Sequence, residues 1–450
     1  MERASKRAGN TWLFLAKAAF VAVIMLVFQY GQIIFYEETR FYFWGNNVIL
    51  LLYAANLFFS CRIYRGMSFG SVGRQESILS WILCLLITNG FQYLLLSLLV
   101  AGMLPIYGFL AILATQIVLV IPLIFLIDAL YYHLHPAHKA IIIYGSKEKA
   151  HVYSTIIKKH RKKFQISQVL SQNEPFEDLI RCIDESESVF FLDVEGINRD
   201  SLFEYCFRHE KHTYILPSFT GVLLNTAEIS WISNTPMFMP KTPDIDPVQK
   251  FTKRCMDVLA SLLAIILLSW LMLIIWAAIR ISDRGPAVYK QVRVTKGGKH
   301  FVLFKFRSMR LDAESDGMPR LSPEGDDRVT PVGRFIRKTR IDELPQLFNV
   351  LFGTMSLVGP RPERPEIAEQ YEKTYPNFSL RTKVKAGVTG YAQIYGKYNT
   401  APDEKLFLDI MYIETFSVWQ DVKLILQTLK VVFMPSSTEG ISEDSTTAMR

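Results

Sequence analysis

Apolar residues run almost unbroken through four stretches at the start of the chain, about 11–36, 41–61, 77–101 and 104–132. Each is long enough for the roughly 20 helical residues that a hydrocarbon core demands, so the pattern predicts a four-helix transmembrane bundle over 1–135. Basic residues sit at alternate ends of these spans. Arg3, Lys6 and Arg7 precede the first, Arg62, Arg65 and Arg74 separate the second from the third, and Lys139 follows the fourth. The opposite loops hold Glu37, Glu38 and Arg40, and then only Gly102 to Pro105, so the distribution places both ends of the bundle in the cytoplasm. No small-residue cleavage site follows the first span, which argues against a removed signal peptide.

From 136 to 240 the pattern changes to alternation. An apolar strand at Ile141–Tyr144, a basic helix at Glu148–Lys163 and a further strand at Ser188–Leu192 predict a Rossmann-like cytoplasmic module of α/β type with parallel strands. Its first turn, Tyr144-Gly145-Ser146-Lys147, has a single glycine and lacks the spacing that admits a pyrophosphate, which favours a structural or regulatory role over dinucleotide binding. The cations Lys158, Lys159, Arg161, Lys162 and Lys163 read as a solvated helix face or one leaning on anionic lipid. No basic groove interleaved with aromatics is present to suit nucleic acid.

A linker over 241–255, within a stretch carrying Pro236, Pro240, Pro243 and Pro247, leads to a fifth apolar run, Met256 to Ile281. Its length alone reads as a transmembrane helix. Lys253 and Arg254 precede it, however, and Arg280 and Arg284 follow it, so both flanks carry the charge of a cytoplasmic side. That symmetry predicts a re-entrant helix at about 255–281 that returns to the leaflet it entered. Further on, apolar positions from Leu406 to Ile413 and from Trp419 to Val432 predict amphipathic helices, and the Ser/Thr/Glu-rich stretch 435–450 a flexible tail.

Composition narrows the chemistry. A chain of 450 residues that is 50% hydrophobic, with 50 Lys and Arg against 42 Asp and Glu, carries a net charge of +8 and suits an anionic partner such as lipid headgroups, a lipid phosphate or a nucleotide. The five cysteines are scattered, without zinc or disulfide spacing. Between Ile281 and Lys397 basic residues and glycines surround one Asp-Glu pair, Asp342-Glu343. On its own such a dipeptide merely suits a helix start. Its setting is more specific: Ser282-Asp283-Arg284-Gly285-Pro286, then Lys305-Phe306-Arg307-Ser308-Met309, Thr339-Arg340-Ile341-Asp342-Glu343-Leu344-Pro345, Gly359-Pro360-Arg361-Pro362 and Lys385-Ala386-Gly387-Val388-Thr389-Gly390 follow in order.

These motifs resemble those of the bacterial polyprenyl-phosphate hexose-1-phosphate transferases, over about 250–434, and the preceding spans and α/β module look like the large, polytopic branch of that family. The resemblance implies a monotopic catalytic domain with a re-entrant membrane helix and a Mg²⁺-dependent active site facing the cytoplasm of a bacterial inner membrane. The substrates implied are a UDP-sugar, with UDP-glucose the first expectation and UDP-galactose the next, and undecaprenyl phosphate; the product would start a capsule, exopolysaccharide or O-antigen unit. A homodimer is left open.

The residues carry this chemistry on their own terms. Asp342 attacking the sugar-bearing phosphorus would expel a nucleoside monophosphate and leave an acyl phosphate for the lipid phosphate to attack. Adjacent helical carboxylates point about 100° apart, so Asp342 can face phosphorus while Glu343 faces Mg²⁺, the two being the metal candidates. Arg340 and Arg361 are candidate phosphate clamps, Arg361 alternatively a structural ion-pair residue between two prolines. Lys305 and Arg307 alternate with Phe304 and Phe306, a strand pattern that puts both cations on one face: Lys305 to orient the acidic pair, Arg307 to steady the fold or bind phosphate. Gln393 and Lys397 complete the substrate-site candidates, and Gly387 and Gly390 around Thr389 suit either a phosphate-binding turn or a structural one. Asp409 and Tyr412 share a helix face near the site, Tyr412 with a packing role. The chain departs from the family in two places. Ser269-Trp270 stands where relatives break the re-entrant helix with Ser-Pro, and Lys397 where they often have arginine. The competing reading is a catalytically silent membrane scaffold; a transporter is disfavoured, since four spans without buried charges offer no pathway apart from the marginal Asp128.

Overall fold

The computed structural model describes residues 2–36, 41, 43–70, 72–240, 246–311, 313, 326, 328–396 and 402–432. The candidate Lys397, the loop residues Glu37, Glu38 and Arg40, and the 435–450 tail lie outside them. The chain divides into two compact units, Met1–Ser218 and Phe219–Arg450.

The first unit begins with helices α1 (Glu2–Phe35), α2 (Gly45–Tyr64), α3 (Arg74–Leu99) and α4 (Ile106–Leu134). Together with a fifth helix in the second unit, they are long and apolar enough to cross a membrane. α4 packs on both α1 and α3, and α2 on α3. Stacked rings of Phe28 and Tyr53 and an edge contact of Phe20 with Trp81 fill the seams. In hydrocarbon the apolar effect is silent between helices, so polar contacts carry more of the specificity. Gln116 of α4 supplies them: its amide donates to Tyr53 Oη of α2 (2.9 Å) and the Ile24 carbonyl of α1 (3.1 Å), and accepts from Asn89 of α3 (2.7 Å). Asp128 is not an open charge in a pathway, because Arg74 pairs with it at 2.5 Å.

Strands β1 (His138–Tyr144), β2 (Phe164–Ser171), β3 (Ser188–Leu192) and β4 (His212–Ile215) follow, separated by α5 (Lys147–Lys159), α6 (Phe176–Asp184) and α7 (Ile197–Arg208). They form one parallel sheet in the order β2-β1-β3-β4. The central strand β3 is buried throughout, as a strand covered on both faces must be. Ile141, Ile143 and Phe191 meet Leu179 and Leu202 on one face, while Ile142, Phe190 and Leu192 meet Ile157 on the other. The single turn glycine has a structural cause: a Cβ on Gly145 would lie 2.1 Å from the Asp193 carbonyl oxygen.

The second unit takes in residues up to 240 that the sequence pattern assigned to the α/β module. α8 (Phe219–Leu224) sends Val222 into the core of this unit, and Thr226 reaches Glu414 at 3.4 Å; the hairpin β5 (Glu228–Ile232) and β6 (Thr235–Met239) follows. Then α9 runs unbroken from Pro247 to Asp283, capped by Asp246, which accepts from the Val248 and Gln249 amides. The antiparallel pair β7 (Val288–Val294) and β8 (His300–Phe306) comes next, then α10 (Pro331–Lys338), α11 (Gln346–Phe352) and β9 (Ser356–Val358). α12 (Pro365–Thr374), β10 (Gly387–Thr389, parallel to β9), α13 (Tyr391–Tyr395), α14 (Pro402–Glu414) and α15 (Val418–Val432) complete it.

One face of α9 is polar at its start and apolar thereafter, and the whole of that face rests on the folded body. Arg254 donates to the carbonyls of Val350 and Leu351 (2.7 and 2.8 Å), and Asp257 accepts from the Leu357 amide and Ser356 hydroxyl (3.0 and 3.1 Å). Ala260, Ala264 and Ile265 continue the contact, and Ile275 and Ile279 pack with Ala287, Phe306 and Ile336. The opposite face, Leu259, Leu263, Ile266, Leu267, Trp270 and Leu273, is 58–67% exposed although wholly apolar. The Ser269 hydroxyl bonds back to the Ile266 carbonyl at 2.9 Å, the local contact expected for serine, without breaking the helix.

Lys253 sits at the centre of the anchor. It pairs with Asp421, donates to the Val358 carbonyl (3.0 Å) and approaches Tyr412 Oη (3.3 Å). Tyr412 is 1% exposed and in turn donates to Asp421 (2.8 Å), so it packs the core and closes this network. Asp421→Ala would leave the Lys253 ammonium buried without its counter-charge, at a cost of about 3–5 kcal/mol. Thermal unfolding of the detergent-solubilised variant should show a clearly lowered midpoint.

Candidate active site

Three segments meet around the acidic pair. α10 ends at Lys338, and Arg340 then takes a left-handed backbone (φ 55°) that reverses the chain into a short 3₁₀ turn, Ile341–Glu343. Ile341 and Leu344 pack into the cluster around Ile336 and Phe306, which fixes the turn from beneath. The second segment is the end of β8, carrying Lys305. The third is the loop after β9, where the backbone at Gly359 runs so close to β10 that a Cβ would lie 2.3 Å from the Lys385 carbonyl oxygen.

Glu343 gathers the three. Its Oε1 accepts from Lys305 Nζ at 3.1 Å and from an Arg361 Nη at 2.8 Å. Burial would raise the Glu343 carboxyl, but Arg361 and Lys305 overcome it and hold it well below the usual carboxylate range. Burial likewise lowers Lys305, against the pull of Glu343. Asp342 is pushed the other way, up to about 6, first by burial and then by the neighbouring Glu343 charge. Among the described residues no hydrogen bond or ion pair reaches the Asp342 carboxylate. Two adjacent carboxyl groups therefore differ in role: Glu343 is a fixed anion clamped by cations, and Asp342 is unengaged, with an acidity near neutrality.

The structure thus joins Asp342, Glu343, Lys305 and Arg361, with Arg340 close enough to lower Glu343 electrostatically. Arg307 is placed apart from them. β8 ends at Phe306, and Arg307 lies buried beyond it over Gly285, its amide donating to the Ala287 carbonyl (2.8 Å), so the expected pair of cations on one strand face is not formed. Of its two expected roles this position suits steadying the fold. The turn around Thr389 is tied to the loop before Arg361: Gly387 donates to the Pro360 carbonyl (2.9 Å) and the Thr389 carbonyl accepts the Gly359 amide (2.8 Å). Gln393, on α13, keeps both amide atoms buried without a hydrogen-bond partner among the described residues. A buried amide in that state is a place for water or ligand atoms. Asp409 and Tyr412 separate: Asp409 pairs with Arg381, Tyr412 with Asp421.

Two groups escaped the sequence reading. Arg337 donates to the Ser308 hydroxyl (2.9 Å) and lowers Asp342 electrostatically; its place within the basic run of the acidic motif was the available signal. Behind Arg361, Arg293, Glu363 and Arg381 join Asp409, which the sequence had placed near the site, in a second charged cluster drawn from positions too far apart in sequence to suggest one another. A cavity of about 270 Å³ opens beside Arg361, with Pro360, Pro362, Phe378, Arg381 and Val384 among its walls. Among the described residues no three His, Cys, Asp or Glu side chains converge into a metal cage. Mg²⁺ fits here only as an ion shared between one or both carboxylates of the pair and oxygens brought by a substrate, its common mode at phosphate sites.

The second unit thus combines a long apolar helix with an acidic pair set under cations. Residues 248–435 match the bacterial sugar transferase family. The chain is 43% identical over 189 residues to a UDP-N-acetylgalactosamine-undecaprenyl-phosphate N-acetylgalactosaminephosphotransferase of Aeromonas hydrophila, covering 41% of this chain and 44% of the relative. It is 38% identical over 231 residues to a UDP-glucose:undecaprenyl-phosphate glucose-1-phosphate transferase of Klebsiella pneumoniae, covering 50% and 49%. It is 34% identical over 240 residues to an undecaprenyl-phosphate galactose phosphotransferase of Salmonella typhimurium, covering 50% of each. The chain thus spans about half the length of the curated relatives it matches.

Asp342 makes a prediction about stability. Its carboxyl is raised on folding, so above about pH 6 the native state carries a penalty that the unfolded chain does not, and below about pH 4 the group is neutral in both. Asp342→Asn should therefore melt higher than the wild type at pH 8, with the difference fading as the pH falls towards 4.

Proposed function

We propose that the protein transfers a hexose 1-phosphate from a UDP-sugar to undecaprenyl phosphate, releasing UMP, as the first step in assembling a polysaccharide repeat unit. The observation that carries this reading is the division of the acidic pair: an unengaged Asp342 of raised pKa beside a Glu343 fixed by Lys305 and Arg361. The names of the relatives, which include glucose, galactose and N-acetylgalactosamine transferases to undecaprenyl phosphate, supply the substrate class.

In this mechanism an Asp342 oxygen attacks the sugar-bearing phosphorus and the bond to the bridging oxygen breaks, so UMP departs with the bonding electrons. The resulting aspartyl phosphosugar is attacked by an oxygen of the lipid phosphate, which forms the new phosphoanhydride and returns Asp342 as a carboxylate. One phosphoanhydride replaces another, so catalysis rests on placement and charge neutralisation. Lys305 and Arg361 hold Glu343 in place, and the exposed part of the Arg361 fork, with Arg340, faces the incoming phosphates. Mg²⁺, held by the acidic pair, would neutralise diphosphate oxygens. UDP-glucose and then UDP-galactose are the expected donors, with UDP-N-acetylgalactosamine added by the relative of 43% identity.

The reading also assigns α9 a re-entrant or in-plane place in the cytoplasmic leaflet. Asp257 and Ile275 are 18 residues apart, about 27 Å along a helix, and both rest on the same folded unit. A helix crossing hydrocarbon roughly 30 Å thick would draw that unit, with its polar loops, into the bilayer. The apolar outer face of α9 is then the lipid-facing one, the α/β module is Rossmann-like and cytoplasmic, and α1–α4 form a four-helix anchor in the inner membrane.

Purified protein with Mg²⁺ and undecaprenyl phosphate should release UMP from one of these UDP-sugars, and Asp342→Asn should reduce the rate by roughly 10⁴-fold or more. No release with any donor would favour the silent scaffold. For topology, Lys250→Cys and Ser282→Cys in a chain cleared of its native cysteines should both resist an impermeant maleimide applied to spheroplasts; labelling of one alone would mean that α9 crosses.

A further inference from the structure

Arg361 contributes a side chain to the acidic pair, yet it sits in a loop, Gly359 to Arg364, that has no regular structure of its own. What holds that loop is a second layer of buried charge. Arg381, 5% exposed, donates to the main-chain carbonyl of Arg361 at 2.9 Å. The same guanidinium pairs with Asp409 at 2.7 Å and Glu363 at 3.5 Å, and lies 4.7 Å from the centroid of the Phe378 ring. From the other side Arg293 donates to the next carbonyl, that of Pro362, at 3.1 Å and approaches Glu363 at 3.9 Å. Two arginines thus grip successive carbonyls of the clamp loop, with Glu363 between them.

Burying a guanidinium costs several kcal/mol unless it is fully paired, and an apolar side chain would usually fill the space as well. A stability account alone therefore does not explain Arg381. What a guanidinium can do here and an apolar group cannot is bind a carbonyl, two carboxylates and a ring face at once in a fixed plane. Asp409 and Glu363 keep that plane oriented, and the Arg361 carbonyl is the one partner that leads to the reacting groups.

We propose that Arg381, oriented by Asp409 and Glu363, is a positioning residue that sets the Arg361 side chain against Glu343 and the substrate phosphates. This rests on the transfer reading above. A displacement of about 1 Å at a reacting group can cost on the order of 100-fold in rate, which sets the scale of the effect.

The test is a double-mutant cycle on the full chain in lipid nanodiscs, read as single-turnover transfer of radiolabelled sugar phosphate. Arg381→Gln should lower the rate constant roughly 10- to 100-fold at saturating donor while the wild-type partner Arg361 is present. In an Arg361→Ala background the same substitution should have less than about a 3-fold further effect, because the side chain it positions is gone. Asp409→Asn, which keeps size and shape, should repeat the pattern and carries the cycle where Arg381→Gln fails to fold. Equal losses in both backgrounds would mark a merely structural role and overturn the proposal, as would a loss under 3-fold in the presence of Arg361. A wild type that transfers no sugar phosphate would overturn the transfer reading itself, and this inference with it.

Discussion

The ion pairs on Glu343 are the constraint from which the rest of the site follows. One carboxylate oxygen binds the end of a strand through Lys305 and a loop through Arg361, so the turn carrying Asp342 is fixed relative to two other parts of the fold. Such pairs cost much of their Coulomb energy in lost hydration and are weak grounds for stability. Their return here is geometric and electrical. Burial first, and then the Glu343 anion beside it, raise Asp342 against the pull of Lys305, Arg337 and Arg361. Glu343 owes its acidity to Arg361 and Lys305, and its charge adds to the burial that raises Asp342.

The same logic of paired burial recurs at the base of α9. Lys253, Arg254 and Asp257 are polar residues at the start of an apolar helix, and each finds its partner on the folded body instead of in water or lipid headgroups. The helix is thereby fastened along one face, and only the other remains for hydrocarbon. Its position relative to the active site is then not adjustable: α9 carries Ile275 and Ile279 into the cluster that also seats Ile341 and Leu344 of the acidic turn.

Hydropathy marked the helices well because a bilayer imposes length and composition so strictly; α2 to α4 begin and end within a few residues of the apolar stretches that announced them. The acidic pair, Lys305 and Arg361 were also legible, since each belongs to a short, dense motif. The placement of Arg307 and the pairing at Thr389 were not, because strand ends and the parallel pairing of β9 with β10 are set by contacts far away in sequence. The same holds for the division at Ser218, where Val222 joins a core built mostly from residues after 300.

By itself, then, the sequence determined the long apolar helices, the alternating texture of the α/β module and the local motifs that carry charge, all of which depend on neighbours within one helix turn or one strand. Tertiary structure alone decided which charges meet. Arg381 and Asp409 stand 28 positions apart, and both stand well beyond Glu363, yet the fold stacks them behind one loop. Buried charges must find partners wherever the chain brings them, and no local pattern records where that is.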